Sequence, residues 1–310
     1  MKSFAIASIY WSVTALAMPV CDSRTGENVI TLDLMPETIT NLQLALFLEN
    51  LEFAFFQSAS ANLTASDPVL TDTLNQTIWE VTMQEATHQK ALRNILDAAD
   101  TDQIEPCQYR FPSQNTSQFL ALGRTLSSVG VGATVSLAGS IPAQDVELVS
   151  GIASIAATEA RHSAFFETAN GKLPNPAPFD TPVPSTWAFN LALGFVVPGS
   201  CPVTPPIPVL SPLVVETAEE GNETAVDVSW DPVQTSIQVE GNKPLFVTWI
   251  NQLASPIYTP LSRTSNSTGK ATMPEGLEGP IVVALTAQDY LERLEEVAVS
   301  TVAGPVVLVS

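Results

Sequence analysis

The chain has 310 residues, 45% of them apolar, enough to supply a substantial core to each of two domains and too many for a disordered protein. Its 32 acidic residues against 12 basic ones give a formal charge of −20. That charge repels nucleic acid and anionic membrane surfaces, and no basic stripe offsets it, so nucleic-acid binding is set aside.

Residues 1–17 read as a signal peptide, with Lys2, an apolar run from Phe4 to Leu16, and small residues at Ala15 and Ala17 for cleavage. A mature chain beginning near Met18 is expected, with 18–37 as an N-terminal segment. The run is short for a bilayer crossing, and nothing later resembles a membrane span. Five Asn-x-Ser/Thr sequons, at Asn62, Asn75, Asn115, Asn222 and Asn266, agree with export. A secreted glycoprotein, extracellular or in the cell wall, is therefore expected. In an oxidising compartment the three cysteines, Cys21, Cys107 and Cys201, favour one bridge and one leftover thiol. Cys107 and Cys201 flank the second half of the helical region and are expected to pair, with Cys21 free or bonded to another chain.

Residues 38–172 read as a four-helix bundle. Thr38 or Thr40 is expected to cap a first helix running to about Ser58, whose stripe Leu42, Ala45, Leu46, Glu49, Glu52, Phe53 and Phe56 has the spacing of one buried face. The second helix, about Pro68 to Ala99, carries Ile78, Val81, Glu85, His88, Leu92 and Ile95 in one row. After a polar break at 100–115, the third helix, about Thr116 to Gly139, contains Gly123, Gly130, Gly132 and Gly139. Such a composition is costly in a helix interior unless a neighbour packs closely. Pro142 and Asp145 are expected to open the fourth helix, with the row Leu148, Ile152, Ile155, Glu159, His162 and Phe166, and Asn170-Gly171 to close it.

Residues 173–206 form a proline-rich connection with a short helix expected at Trp187 to Val197. Beyond it, runs at Ala225 to Trp230, Leu245 to Ile250, Ile281 to Ala287 and Val306 to Val309 are short, β-branched or aromatic, and separated by turn residues. Residues 207–310 thus read as an all-β, sandwich-like domain, in which Trp230 and Trp249 are expected to be core.

The chain has two histidines, and each stands three residues after a glutamate, as Glu85-x-x-His88 and Glu159-x-x-His162. That offset puts each pair on one helix face. Two such pairs, with one carboxylate from each of two further helices, form the dinuclear site of carboxylate helix bundles. Glu52 is the expected first-helix member, with Glu49 as its competitor. Carrying the Glu52 to Glu85 spacing back from Glu159 lands, within one residue, on Ser127, and no Asp or Glu occurs between Glu105 and Asp145. The third helix therefore supplies no carboxylate, and at most one well-bound metal is expected. A Glu-x-x-His pair by itself is most often a solvated surface pair. In an apolar row, however, burial demands a partner, either a metal or cross-bonded Glu and His side chains.

Several segments together resemble the secreted fungal ferritin-like proteins related to the desiccation-, stress- and sexual-development-associated group. They are Leu48-Glu49-Asn50-Leu51-Glu52-Phe53-Ala54-Phe55-Phe56, Gln84-Glu85-Ala86-Thr87-His88, Cys107-Gln108-Tyr109-Arg110-Phe111-Pro112, Val129-Gly130-Val131-Gly132-Ala133, Glu159-Ala160-Arg161-His162 and Phe179-Asp180-Thr181-Pro182. The resemblance spans about residues 38–203. It implies a ferritin-like four-helix fold, Glu52 or Glu49, Glu85, His88, Glu159 and His162 as ligands of iron or manganese, and support for the Cys107 to Cys201 bridge. The family has a glutamate where this chain has Ser127, which disfavours oxidoreductase activity. Two function classes follow: a secreted metalloprotein with a degenerate site, and a non-catalytic structural or interaction protein whose β module binds wall carbohydrate, the cell surface or a protein partner.

Overall fold

The computed structural model describes residues 31–63, 69, 71–220, 223–232 and 243–309. The expected signal peptide, Cys21 and Asn222 lie outside them. Four long helices come first: α1 Pro36–Asn62, α2 Asp72–Ala98, α3 Thr116–Ser140 and α4 Val149–Ala169. Pro36 opens α1 at a position that needs no backbone N–H, and no side chain caps that end from Met35.

The capping expected of Thr38 or Thr40 is not what holds this helix end. Thr38 is fully buried and its hydroxyl donates to Asp145, which also accepts from the Met35 N–H at 3.1 Å. Asp145 does not open α4 either. It lies in a tight 3-10 segment, Ala143–Leu148, that leads into α4, and its carboxylate serves the N-terminus of α1, where the helix dipole favours an anion. Helix α2 starts later than expected, capped by the Thr71 hydroxyl accepting from Leu74 N–H at 3.1 Å. The Asn115 side chain caps α3 by accepting from Gln118 N–H at 2.9 Å. Asn170 and Gly171, the latter at φ 72°, end α4.

Close approach explains much of the glycine in α3. A Cβ on Gly123 would lie 2.6 Å from the Phe166 ring of α4, and one on Gly132 would strike the Thr181 carbonyl of the connection, whereas Gly139 faces open space. Among the described residues α3 alone has the length and hydropathy of a bilayer crossing; it is mostly buried and packs against α1 and α4. Below the acidic centre of the bundle, Phe55 stacks on Phe119 at 4.5 Å and Phe56 on Phe166 at 5.4 Å, forming an aromatic floor.

The connection carries α5, Ser185–Leu193, shorter than the expected helix. It is tied down at both ends. Cys107 and Cys201 are joined as a disulfide, Val197 N–H donates to the Gln108 carbonyl, and Trp187 Nε1 donates to Thr301 of the β region at 2.9 Å. Replacing both bridged cysteines by serine is expected to destabilise the protein by about 2–5 kcal/mol, measured by urea unfolding, with the bundle still formed.

Among the described residues eight antiparallel strands follow: β1 Leu213–Glu220, β2 Glu223–Trp230, β3 Phe246–Asn251, β4 Ile257–Pro260, β5 Ser262–Arg263, β6 Thr268–Thr272, β7 Pro280–Thr286 and β8 Thr301–Val309, with a short helix α6, Leu294–Val299, before the last. They make two four-stranded sheets, ordered β1-β2-β6-β5 and β4-β3-β7-β8. Val226, Val228, Trp230, Trp249, Val283 and Leu285 share the core associated with these sheets, so both tryptophans are core. Ile250, Val282 and Ala284 belong instead to the core that runs through the helices. Strands β3 and β7 are therefore covered on both faces, which is why they read as continuous apolar runs rather than alternating ones.

Candidate metal centre

Three helices of the bundle deliver acidic side chains to its middle. Glu49 and Glu52 come from one face of α1, Glu85 and His88 from α2, Glu159 and His162 from α4, and all six are buried. His88 Nδ1 lies 3.1 Å from Glu85 Oε2, 3.3 Å from Glu49 Oε2 and 3.3 Å from Glu159 Oε1. One imidazole nitrogen can donate one hydrogen bond, so three carboxylate oxygens exceed its capacity. In keeping with this, Glu49 Oε2 and Glu159 Oε1 sit near the nitrogen without hydrogen-bond geometry, as does Glu85 Oε1 beside the second histidine. Ligand atoms of Glu49, Glu85, His88 and Glu159 all fall within 4.8 Å of one another.

The second half is built around His162. Its Nδ1 is 3.0 Å from Glu85 Oε1 and 3.4 Å from Glu159 Oε2, while its Nε2 meets Gln84 Oε1 at 2.7 Å. That last contact fixes the ring with Nε2–H donating to Gln84 and Nδ1 turned towards the acids, the orientation a ligating histidine needs. Glu85 and Glu159 are shared between the halves. Helix α3 adds no acid: Ser127 is fully buried and its hydroxyl has no hydrogen-bond partner among the described residues.

One turn beyond Ser127 stands Gly130. A Cβ there would lie 2.5 Å from Glu52 Oε1 and 3.3 Å from Glu159 Oε2, so the absence of a side chain is what gives Glu52 its place. The structure thus divides the two α1 glutamates. Glu49, expected only as a competitor, reaches His88, while Glu52 lies against the α3 backbone. Gln84 and Gly130 join the expected site residues: Gln84 adjoins Glu85 in sequence, and the close neighbour expected of the α3 glycines is, at Gly130, the Glu52 carboxylate.

The electrostatics follow from crowding. Burial drives the Glu49 and Glu52 carboxyls well above their usual range, and the neighbouring acids push in the same direction, though His88 opposes it. Burial would raise Glu85 as well, but the facing imidazoles of His162 and His88 overcome it and hold this carboxyl at about 2. Burial would depress both imidazoles, yet Glu159, Glu49 and Glu85 lift His88 to about 12, and Glu159 and Glu85 lift His162 to about 9. Without a cation, protons hold the cluster together.

Residues 37–172 match the family model of the ferritin-like domain. They form a ferritin-like domain. A comparison with curated proteins finds no match. In this ferritin-like domain the donors present fit a metal ion: three oxygens and one nitrogen converge, three buried oxygens of the cluster lack hydrogen bonds, and a mixed carboxylate and imidazole set suits a divalent transition metal. The fit is complete only around His88. Around His162 two shared carboxylates stand with no acid from α3.

Proposed function

We propose that the chain is a secreted glycoprotein whose ferritin-like domain holds one iron or manganese ion, with Glu49, Glu85, His88 and Glu159 as its ligands. The observation that carries this reading is the convergence of three carboxylate oxygens on a single imidazole nitrogen in a buried site. Bound there, such a metal would supply a redox couple or a Lewis acid. The residues themselves orient the site: Gln84 anchors His162, Glu85 and Glu159 face both histidines, and the stacked phenylalanines close the floor. Oxygen or peroxide chemistry is the lesser expectation, since α3 offers Ser127 and Gly130 in place of a carboxylate.

Export is supported by the oxidised Cys107 to Cys201 pair and by exposed sequon asparagines at 75, 115 and 266. A stress- or development-related role rests on the resemblance alone. The same missing carboxylate favours a second reading, a non-catalytic scaffold at the cell surface or wall. Carbohydrate binding through Trp230 or Trp249 has little support, because both are buried.

Metal titration separates the two readings. Binding needs neutral imidazole nitrogen and ionised carboxylates, whereas in the metal-free cluster His88, at about 12, and His162, at about 9, hold protons at neutral pH, and burial raises the Glu49 and Glu52 carboxyls. Adding Fe(II) or Mn(II) to chelator-treated protein is therefore expected to release protons, to bind more weakly as pH falls, and to raise Tm. A scaffold would show no saturable proton release and no rise in Tm.

A further inference from the structure

A cavity of about 230 Å³ lies between α1, α3, α5 and β8. Its wall is mostly aliphatic, from Leu48, Leu126, Val129, Leu191 and Val306, with Phe195 and Thr125 beside them, and its charged end is Glu52 beside Gly130. The side chain of Glu52, only 5% exposed, lines this space. A second, narrower cavity, of about 30 Å³, shares Leu48, Glu52 and Gly130 and continues to Glu49 and Glu159. Glu52 thus stands where an apolar chamber meets the acidic cluster. The chamber's outer wall, Pro305 to Val307, belongs to β8, outside the ferritin-like domain. This gives the β region a part in shaping the site.

We propose that this chamber binds a straight-chain aliphatic alcohol, with the hydroxyl against Glu52 and the alkyl chain along the wall from α1 to β8. The wall selects the class: aliphatic carbon on several elements offers dispersion contact, and the one wall hydroxyl, Thr125, already donates to the Ala121 carbonyl of its own helix. Glu52 selects the head group. A carboxylate head would meet a cluster of acids, and a fully charged head of either sign would lose its hydration in an apolar chamber, whereas a hydroxyl can donate or accept. Size follows by analogy with a cavity of about 150 Å³ that takes benzene, or about 25 Å³ per heavy atom, which leaves room here for about nine heavy atoms, as in 1-octanol. The inference deepens the metal reading, because it gives the substrate class of the same site, yet binding of the alcohol is measurable without metal.

Isothermal titration of the full chain with 1-octanol and with octanoate tests it, with metal content measured on the same samples. One octanol per chain is expected, bound at least tenfold more tightly than octanoate. Ala192, a small residue of the wall, offers a way to fill the chamber. Ala192→Phe is expected to weaken octanol at least tenfold without changing metal content, and Leu126→Phe fills the chamber from α3 should the first variant fail to fold. Glu52→Leu is expected to erase the preference for octanol over octane. No saturable octanol binding, octanoate bound as tightly, or affinity undiminished in a folded filled variant would each overturn the proposal. Octanol binding in a protein that takes up no metal would overturn the metal reading and leave the chamber's assignment intact.

Discussion

His88→Ala is expected to lower metal affinity by at least about 100-fold, the upper end of what removing a mere supporting partner of a ligand costs. The reason lies in how the site is divided. His88 Nδ1 is the point on which Glu49, Glu85 and Glu159 converge, and without it three carboxylates face one another with no nitrogen to complete the set. His162→Ala is expected to do less, because the half it serves has two shared carboxylates and nothing from α3. Metal retained after dialysis, measured by elemental analysis, reads both variants. Equal loss in the two would show that the halves bind as one unit.

Arg124→Met is expected to destabilise the protein by about 3–5 kcal/mol, the cost of leaving one member of a buried ion pair without its partner. Arg124 of α3 donates from Nε to Glu167 Oε2 of α4 at 2.6 Å, and both side chains are buried. The other Glu167 oxygen already lacks a hydrogen bond, so removing the guanidinium strands a charge between α3 and α4. Arg124→Met combined with Glu167→Met should recover most of that loss, since an apolar pair of similar volume has no charge to desolvate. Urea unfolding of the two variants measures the difference. A single-variant cost below about 1 kcal/mol would mean that water reaches Glu167.

The bundle was legible because its signal is long: three apolar rows at helical spacing and a fourth, glycine-bearing apolar stretch, interrupted by Asn, Gly and Pro where the helices end. The histidine pairs were legible for the same reason, since three residues on a helix bring two side chains to one face. The choice between Glu49 and Glu52 was not. Both occupy one stripe of α1, and only the rotation of that helix against α2, with the room left by Gly130, decides which acid reaches His88. The role of Asp145 depends on a contact 107 residues away with Thr38, which no local pattern encodes. Phe55, fully buried in the aromatic floor, was passed over for Phe53 because the floor wraps round the helix beyond its central stripe. Among the strands, β2, β3, β7 and β8 stood out through β-branched runs, while β1 dissolves into Glu216 and Glu219 and β6 reads Thr-Gly-Lys-Ala-Thr. Short, half-exposed strands carry too few apolar residues to rise above their turns.

A metal centre complete only around His88 has room for one ion. Elemental analysis of the full chain, purified without chelators and reconstituted with excess Fe(II) or Mn(II), tests it most directly. About one metal ion per chain is expected, lost in His88→Ala; a folded protein that retains less than about a tenth of an equivalent would contradict a metal centre at His88.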